Sequence, residues 1–217
     1  MLTLLTGALA GFIHVLSGPD HLAAVTPMAI AGRERGWVSG WTWGFGHASG
    51  VVVVAMLAVL LRNLLPPVEL ISAWGERIVG AALIAVGLWA LRRSTQMRTV
   101  THAHGVVSHR HLHVESGPAW LRRLGHPHAS FCFGVLHGIA GSSHFFGVLP
   151  ALALPSMTAS LTYIAAFGAG TVAAMTAFAA AVGTATVRLP NGALPQRAMM
   201  MSAAALAIAV GAVWLAA

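Results

Sequence analysis

Several stretches of about twenty residues run through this chain without an Asp, Glu or Arg inside them, and a segment of that length and polarity belongs in the hydrocarbon core of a bilayer. Inside lipid every backbone N–H and C=O must be satisfied within the protein, so only helices and closed barrels can span. A barrel would need alternating segments of about ten residues. Residues 160–187 and 198–217 are instead continuous and rich in Ala, Gly, Leu and Val. Only 8% of the side chains are charged and 57% are hydrophobic, against about 25% charged in soluble domains. The fold class is therefore an all-α integral membrane protein.

Six apolar runs are legible as spans: residues 2–31, 37–61, 71–91, 129–154, 160–187 and 198–217. The first is interrupted by Ser17-Gly18-Pro19, which predicts either a kinked span or a span followed by a half-helix. Residues 1–10 lack a positively charged n-region, so they read as the start of this span and not as a cleaved signal. The formal charge of +7 comes from arginine alone, since the chain has no lysine. All of those arginines but Arg77 lie in the connections between spans, which argues against a nucleic-acid partner and for a cytoplasmic side. Arg33, Arg35, Arg92, Arg93, Arg98, Arg110, Arg122, Arg123, Arg188 and Arg197 share one side, against Arg62 and Arg77 on the other. Both termini are then expected outside, with residues 92–128 in the cytoplasm and the protein in the inner (plasma) membrane. Trp37, Trp74, Trp89 and Trp214 fall near span ends, where interfacial anchors belong.

The chain also repeats itself. Residues 11–22 align without a gap on residues 134–145, pairing Gly11 with Gly134, His14 with His137, Gly18 with Gly141, Asp20 with Ser143 and His21 with His144; Pro27 then meets Pro150. Shifted by one position, residues 45–49 face residues 167–171, which pairs the second span with the fifth. Three spans per half is an odd number, so the copies insert with opposite topology, as in the inverted repeats of many transporters. The expected organisation is a first three-span repeat at 1–91, a cytoplasmic His-rich loop at 92–128 and a second three-span repeat at 129–217. The first helix of each repeat is expected to be broken.

Histidines at this spacing stand about 10 Å apart along a straight helix, too far to share an ion. A break at Ser17-Gly18-Pro19 changes that, because Pro19 starts a new helix with Asp20 and His21 in its first turn. Asp20 is the only aspartate of the chain and sits inside an apolar run, where an ionisable group is a functional candidate by default. The alternative is a helix cap at the membrane interface. His47 lies in a glycine-rich stretch; Gly40/Gly44, Gly46/Gly50 and Gly134/Gly138 read as helix-packing motifs. The candidate metal ligands are His14, Asp20, His21, His47, His137 and His144. Imidazoles with one carboxylate suit nickel, cobalt, copper or zinc better than magnesium or calcium. Metal and protons would compete for such nitrogens.

Residues 92–128 carry His102, His104, His109, His111 and His113, then His126 and His128. A tract of this composition commonly binds metal. It reads as a secondary site, a buffer or sensor without fixed geometry, or else as a solvated loop.

The stretch from His14 through Asp20-His21-Leu-Ala-Ala resembles the first-span signature of the nickel/cobalt transporter family, in its short branch related to the urease accessory permease. Gly46-His47-Ala-Ser-Gly-Val-Val resembles that family's next histidine span, and the pair His137/His144 fits as well. The resemblance covers nearly all of the membrane part. It implies transport of Ni(II) or Co(II) as substrate, with His14, Asp20, His21 and His47 on the metal route. Five residues separate His14 from Asp20, one more than in the longer members, and the acidic motifs of those members' later spans are not found.

The expected partners are a transition-metal ion, the bilayer and a cytoplasmic metallochaperone, with no prosthetic group and no enzymatic activity. Export, and sensing or storage through the loop, are the alternatives. A membrane metalloenzyme is disfavoured, since there is no His-Glu-x-x-His and every glutamate lies outside the span centres. Cys132, the single cysteine, cannot form the pair a thiol–disulfide carrier needs.

Overall fold

A computed structural model describes the backbone of residues 1–60, 68–104, 107–114, 127–140, 143–189 and 193–216; side chains are described for these except at 58–60, 68–73, 98–104, 107–114, 143–146, 148 and 193. The elements in order are α1 (Leu2–Ser17), α2 (Pro19–Gly32), a 3-10 turn (Arg33–Arg35), α3 (Gly36–Leu60), α4 (Val68–Thr95), β1 (Met97–His104), β2 (Val107–Val114), α5 (Pro127–Ala140), α6 (Ser143–Leu152), α7 (Met157–Arg188) and α8 (Ala193–Ala216).

Among the described residues, three helical segments are long and apolar enough to cross a membrane: Trp74–Thr95 of α4, Met157–Arg188 and Leu194–Ala216. A fourth span is added if α1 and Pro19–Leu57, bent by 75°, are taken as one. This is a multi-pass membrane protein, in which three or four of the six expected spans are separable among the described residues. The second run follows the first through a 3-10 turn without leaving the helical path. In the fourth, the described residues form α5 and α6, helices of 14 and 10 residues, each shorter than the roughly 20 residues a span needs.

The first break falls where the sequence places it. Gly18 ends α1 and begins α2 in an extended conformation (φ −90°, ψ 103°). Its N–H donates to His14 O at 3.1 Å and Val15 O at 3.3 Å, while its own carbonyl accepts from His21 N at 3.2 Å. Pro19, with no N–H to satisfy, occupies the first helical position. A side-chain Cβ at residue 18 would run into the His21 ring and the Asp20 carboxylate, so the tight approach requires glycine.

The helices pack as α1 on α7, α3 between α5 and α7, and α4 on α8. Glycines set the closeness, as small residues do in membranes. A Cβ on Gly40 or Gly44 would meet Met175 of α7, whereas one on Gly46 or Gly50 would meet Phe131 or Val135 of α5. Gly134 and Gly138 of α5 press back on the α3 backbone at Trp43 and His47. Hydrogen bonds add to this packing: Thr171 Oγ1 of α7 donates to Gly11 O of α1 at 3.4 Å, and Ser130 Oγ of α5 to Met28 Sδ of α2 at 3.1 Å.

Two expectations are corrected. The segment after α4 is not without geometry: β1 and β2 pair antiparallel from Met97↔Val114 to His104↔Val107, a hairpin outside the spans, which are all helical as expected. Trp89 is not an interfacial anchor, being only 5% exposed, with the Arg93 guanidinium 5.6 Å from its ring. Trp37 and Trp74 are exposed as expected.

Gly138→Val would drive a branched side chain into the α3 backbone. The expected cost is about 1–3 kcal/mol, seen as a lower thermal midpoint of the protein in detergent. Gly32→Ala, where the added Cβ meets only Ser39 Oγ at an ordinary 3.8 Å, should leave the midpoint nearly unchanged. Equal midpoints for the two variants would contradict the packing described.

Candidate metal centre

The bend at Gly18 turns the first residues of α2 toward the last turn of α1, and α3 and α5 close over the junction. Four imidazoles and one carboxylate meet there. His14 comes from the last turn of α1, Asp20 and His21 from the first turn of α2, His47 from mid-α3 and His137 from the last turn of α5. Asp20, His21 and His47 are at most 1% exposed, His137 is 4% exposed and His14 is partly buried.

The ring of His21 is central. Its centroid stands 4.5 Å from His14, 4.9 Å from His47 and 4.7 Å from His137, edge-on to each. His14 and His47 stack at 6.0 Å with planes only 18° apart. His21 Nδ1 lies 3.0 Å from Asp20 Oδ1, and His137 Nε2 lies 3.1 Å from Asp20 Oδ2. The carboxylate thus bridges an imidazole of its own helix to one contributed from α5. Its place in the first turn of α2 also sets negative charge at the positive end of that helix.

Among the described residues, two sets of three ligand atoms lie close enough to hold one ion, the atoms of each set within 4.8 Å of one another: His14, His21 and His47, and Asp20, His21 and His137. They share His21. Neutral imidazole nitrogens with a carboxylate oxygen form a borderline donor set suited to late first-row divalent metals.

Five of the six ligands expected from the sequence therefore converge. The sixth, His144, begins α6 next to Ser143, and its side chain lies outside the described residues. Of the polar segment's histidines, His102, His104, His109, His111 and His113 lie on the two strands, with side chains outside the described residues; His126 also lies outside them, and His128 is exposed on α5. Around the centre stand aromatic neighbours that carry no ligand atom to mark them in the sequence. Phe167 of α7 lies 5.4 Å from the His14 ring, and Trp43, stacked on Phe133 at 6.1 Å, lies 6.2 Å from His137. Phe167 was reachable, since the repeat aligns it with Phe45; Trp43 carried no comparable signal.

No family model matches the chain, and no solved structure matches it. Relatives do. The chain is 34% identical over 211 residues to Chloroplast protein FOR GROWTH AND FERTILITY 2 of Arabidopsis thaliana, an alignment covering 95% of this chain and 53% of that protein. With Chloroplast protein FOR GROWTH AND FERTILITY 1 of the same plant it shares 37% identity over 183 residues, 82% of this chain and 49% of that one. The chain thus spans about half the length of these two relatives. With the urease accessory protein UreH of Bacillus sp. (strain TB-90) it is 30% identical over 190 residues, covering 84% of this chain and 77% of UreH. At that identity and coverage the chain belongs to the family of the urease accessory protein UreH, the short branch of the nickel/cobalt transporter family.

Proposed function

We propose that this protein is a permease that takes up Ni(II) or Co(II) through the centre at the α1–α2 break. The observation that carries the reading is the convergence of His14, His21 and His47 within 4.8 Å at a helix break in a multi-pass membrane protein. Broken backbone at membrane depth is tolerated where it lines a cavity or is buried in protein, and transporters use such breaks to hold ions. Membership of the UreH family supports the choice of nickel or cobalt over other borderline metals.

Within the centre we assign different tasks to the two ligand sets. An ionised carboxylate only accepts hydrogen bonds, so the proton of His21 belongs on Nδ1, facing Asp20 at 3.0 Å, and the lone pair on Nε2. Asp20 then fixes the tautomer and angle of a ligating ring, as carboxylate–histidine pairs do at metal sites. His14, His21 and His47 form the nitrogen set, and His137 joins as the ion moves. His144, the repeat counterpart of His21, is assigned to the same route from the other half.

The organisation we propose is two inverted three-span repeats, 1–91 and 129–217, with α1–α2 and α5–α6 as the broken first spans. The pairing of helices supports it. A two-fold relation exchanging the halves would turn the α1–α7 contact into the α5–α3 contact and leave α3–α7 and α4–α8 unchanged, and all four are major packing contacts. The arginine side faces the cytoplasm of a plasma membrane, leaving both termini outside. Metal released inside would pass to a cytoplasmic metallochaperone.

Radioactive nickel uptake into proteoliposomes tests the reading. His21→Ala and His47→Ala should each abolish saturable uptake, and Asp20→Asn should raise the half-saturating nickel concentration about 10–100-fold, the usual cost of losing a ligand's orienting partner. Wild-type uptake in the His21 and His47 variants would overturn it. For orientation, a cysteine placed at Ser108 in a Cys132→Ala background should react with an impermeant thiol reagent in inverted vesicles and not in intact cells. The reverse pattern would contradict the topology.

A further inference from the structure

The aromatic rings beside the metal centre follow the internal repeat. A Cβ on Gly11 of α1 would meet Phe167 and Thr171 of α7, and one on its repeat counterpart Gly134 of α5 would meet Trp43 and His47 of α3. Likewise Gly170 of α7 faces Ala8, and Gly46 of α3 faces Phe131. These contacts make Trp43 the counterpart of Phe167 and His47 that of Thr171, two residues from the pairing of 45–49 with 167–171 read in the sequence. Both rings are almost fully buried. Phe167 lies 5.4 Å from His14 and Trp43 lies 6.2 Å from His137, the two histidines that the repeat also pairs.

The two positions differ in one chemical respect. Phe167 shows that an apolar ring is enough to fill such a place, whereas Trp43 adds an indole N–H, a group that donates and accepts nothing. That nitrogen is buried and has no hydrogen-bond partner among the described residues. Its ring is held by Phe133, stacked at 6.1 Å with planes 11° apart. Burying a donor without an acceptor is costly, and packing alone does not call for one. Trp43 stands four residues before His47 on α3, so the donor shares a helix face with a ligand, one turn away.

We infer that Trp43 is a positioning residue of the metal centre, whose indole N–H donates to an oxygen ligand that the ion brings with it from solvent. The inference rests on the proposed reading in which His14, His21 and His47 form the nitrogen set. Three imidazoles leave at least one position open on a late first-row divalent ion, which takes four ligands or more, and water or hydroxide fills it. A bare cation offers an N–H no lone pair; the oxygen it carries does. The substrate of the centre is therefore a partly hydrated ion, and an ion stripped of its last water loses this contact.

Two variants of the full chain in detergent test it. Trp43→Phe removes the N–H and part of the ring, while benzothienylalanine in place of Trp43 keeps the bicyclic ring and exchanges only the N–H for sulfur. In both, the dissociation constant for Ni(II) in a non-coordinating buffer should rise about 2–10-fold, the worth of one hydrogen bond. The benzothienylalanine variant should keep at least the wild-type thermal midpoint without metal, which separates the lost donor from lost packing. In the wild-type protein the Trp43 indole proton, identified by its loss from the NMR spectrum of Trp43→Phe, should move downfield on addition of the diamagnetic Zn(II). Wild-type nickel affinity in the benzothienylalanine variant, or an indole proton that bound Zn(II) leaves unmoved, would overturn the inference. If His21→Ala still abolishes nickel binding in that case, only the role of Trp43 falls; undiminished binding in His21→Ala would remove the centre and the inference together.

Discussion

A carboxylate buried in a membrane protein must be paired, because an isolated charge in a low-dielectric surrounding costs several kcal/mol or more. Asp20 meets this requirement by lying 3.0 Å from His21 and 3.1 Å from His137. One partner is its chain neighbour and the other comes from α5, so the same charge that orients the α2 N-terminus also ties the first part of the chain to the second. The break at Gly18 is what allows this. A continuous helix would carry Asp20 and His21 away from His14 along the axis, and the carboxylate would have no shared centre to join.

Glycine packing performs the complementary task from the outside. α3 carries glycines toward both α7 and α5, and α5 returns Gly134 and Gly138 against the α3 backbone. With glycines at the points of closest approach, the rings of His47 and His137 come to 5.4 Å. The centre is thus positioned by backbone contact and not by the reach of flexible side chains, a condition for holding ligands within a fraction of an ångström.

Much of this was legible in the sequence because its signals are local or repeated. Ser17-Gly18-Pro19 marks a stop and start whatever surrounds it, and the repeat identified His14 with His137 before any contact was known. Glycine pairs announced which helices approach closely. What escaped was decided by partners distant in the chain. Asp20 reads as a ligand beside His21, yet its second bond to His137 depends on how α5 packs. Trp89 sits near the end of an apolar run, and hydropathy does not say which side of that helix faces the core. The strands after α4 were missed because a run of polar histidines has little propensity of its own, and only the alternate spacing of His102, His104, His109, His111 and His113 hinted at period two.

Anomalous scattering at the nickel edge, from crystals of the protein soaked in Ni(II), tests the metal centre most directly. A peak bounded by His14, His21 and His47, with Asp20 beyond the ligand shell on the Nδ1 side of His21, is predicted. Nickel bound only elsewhere in the protein, with no peak at the α1–α2 break, would contradict it.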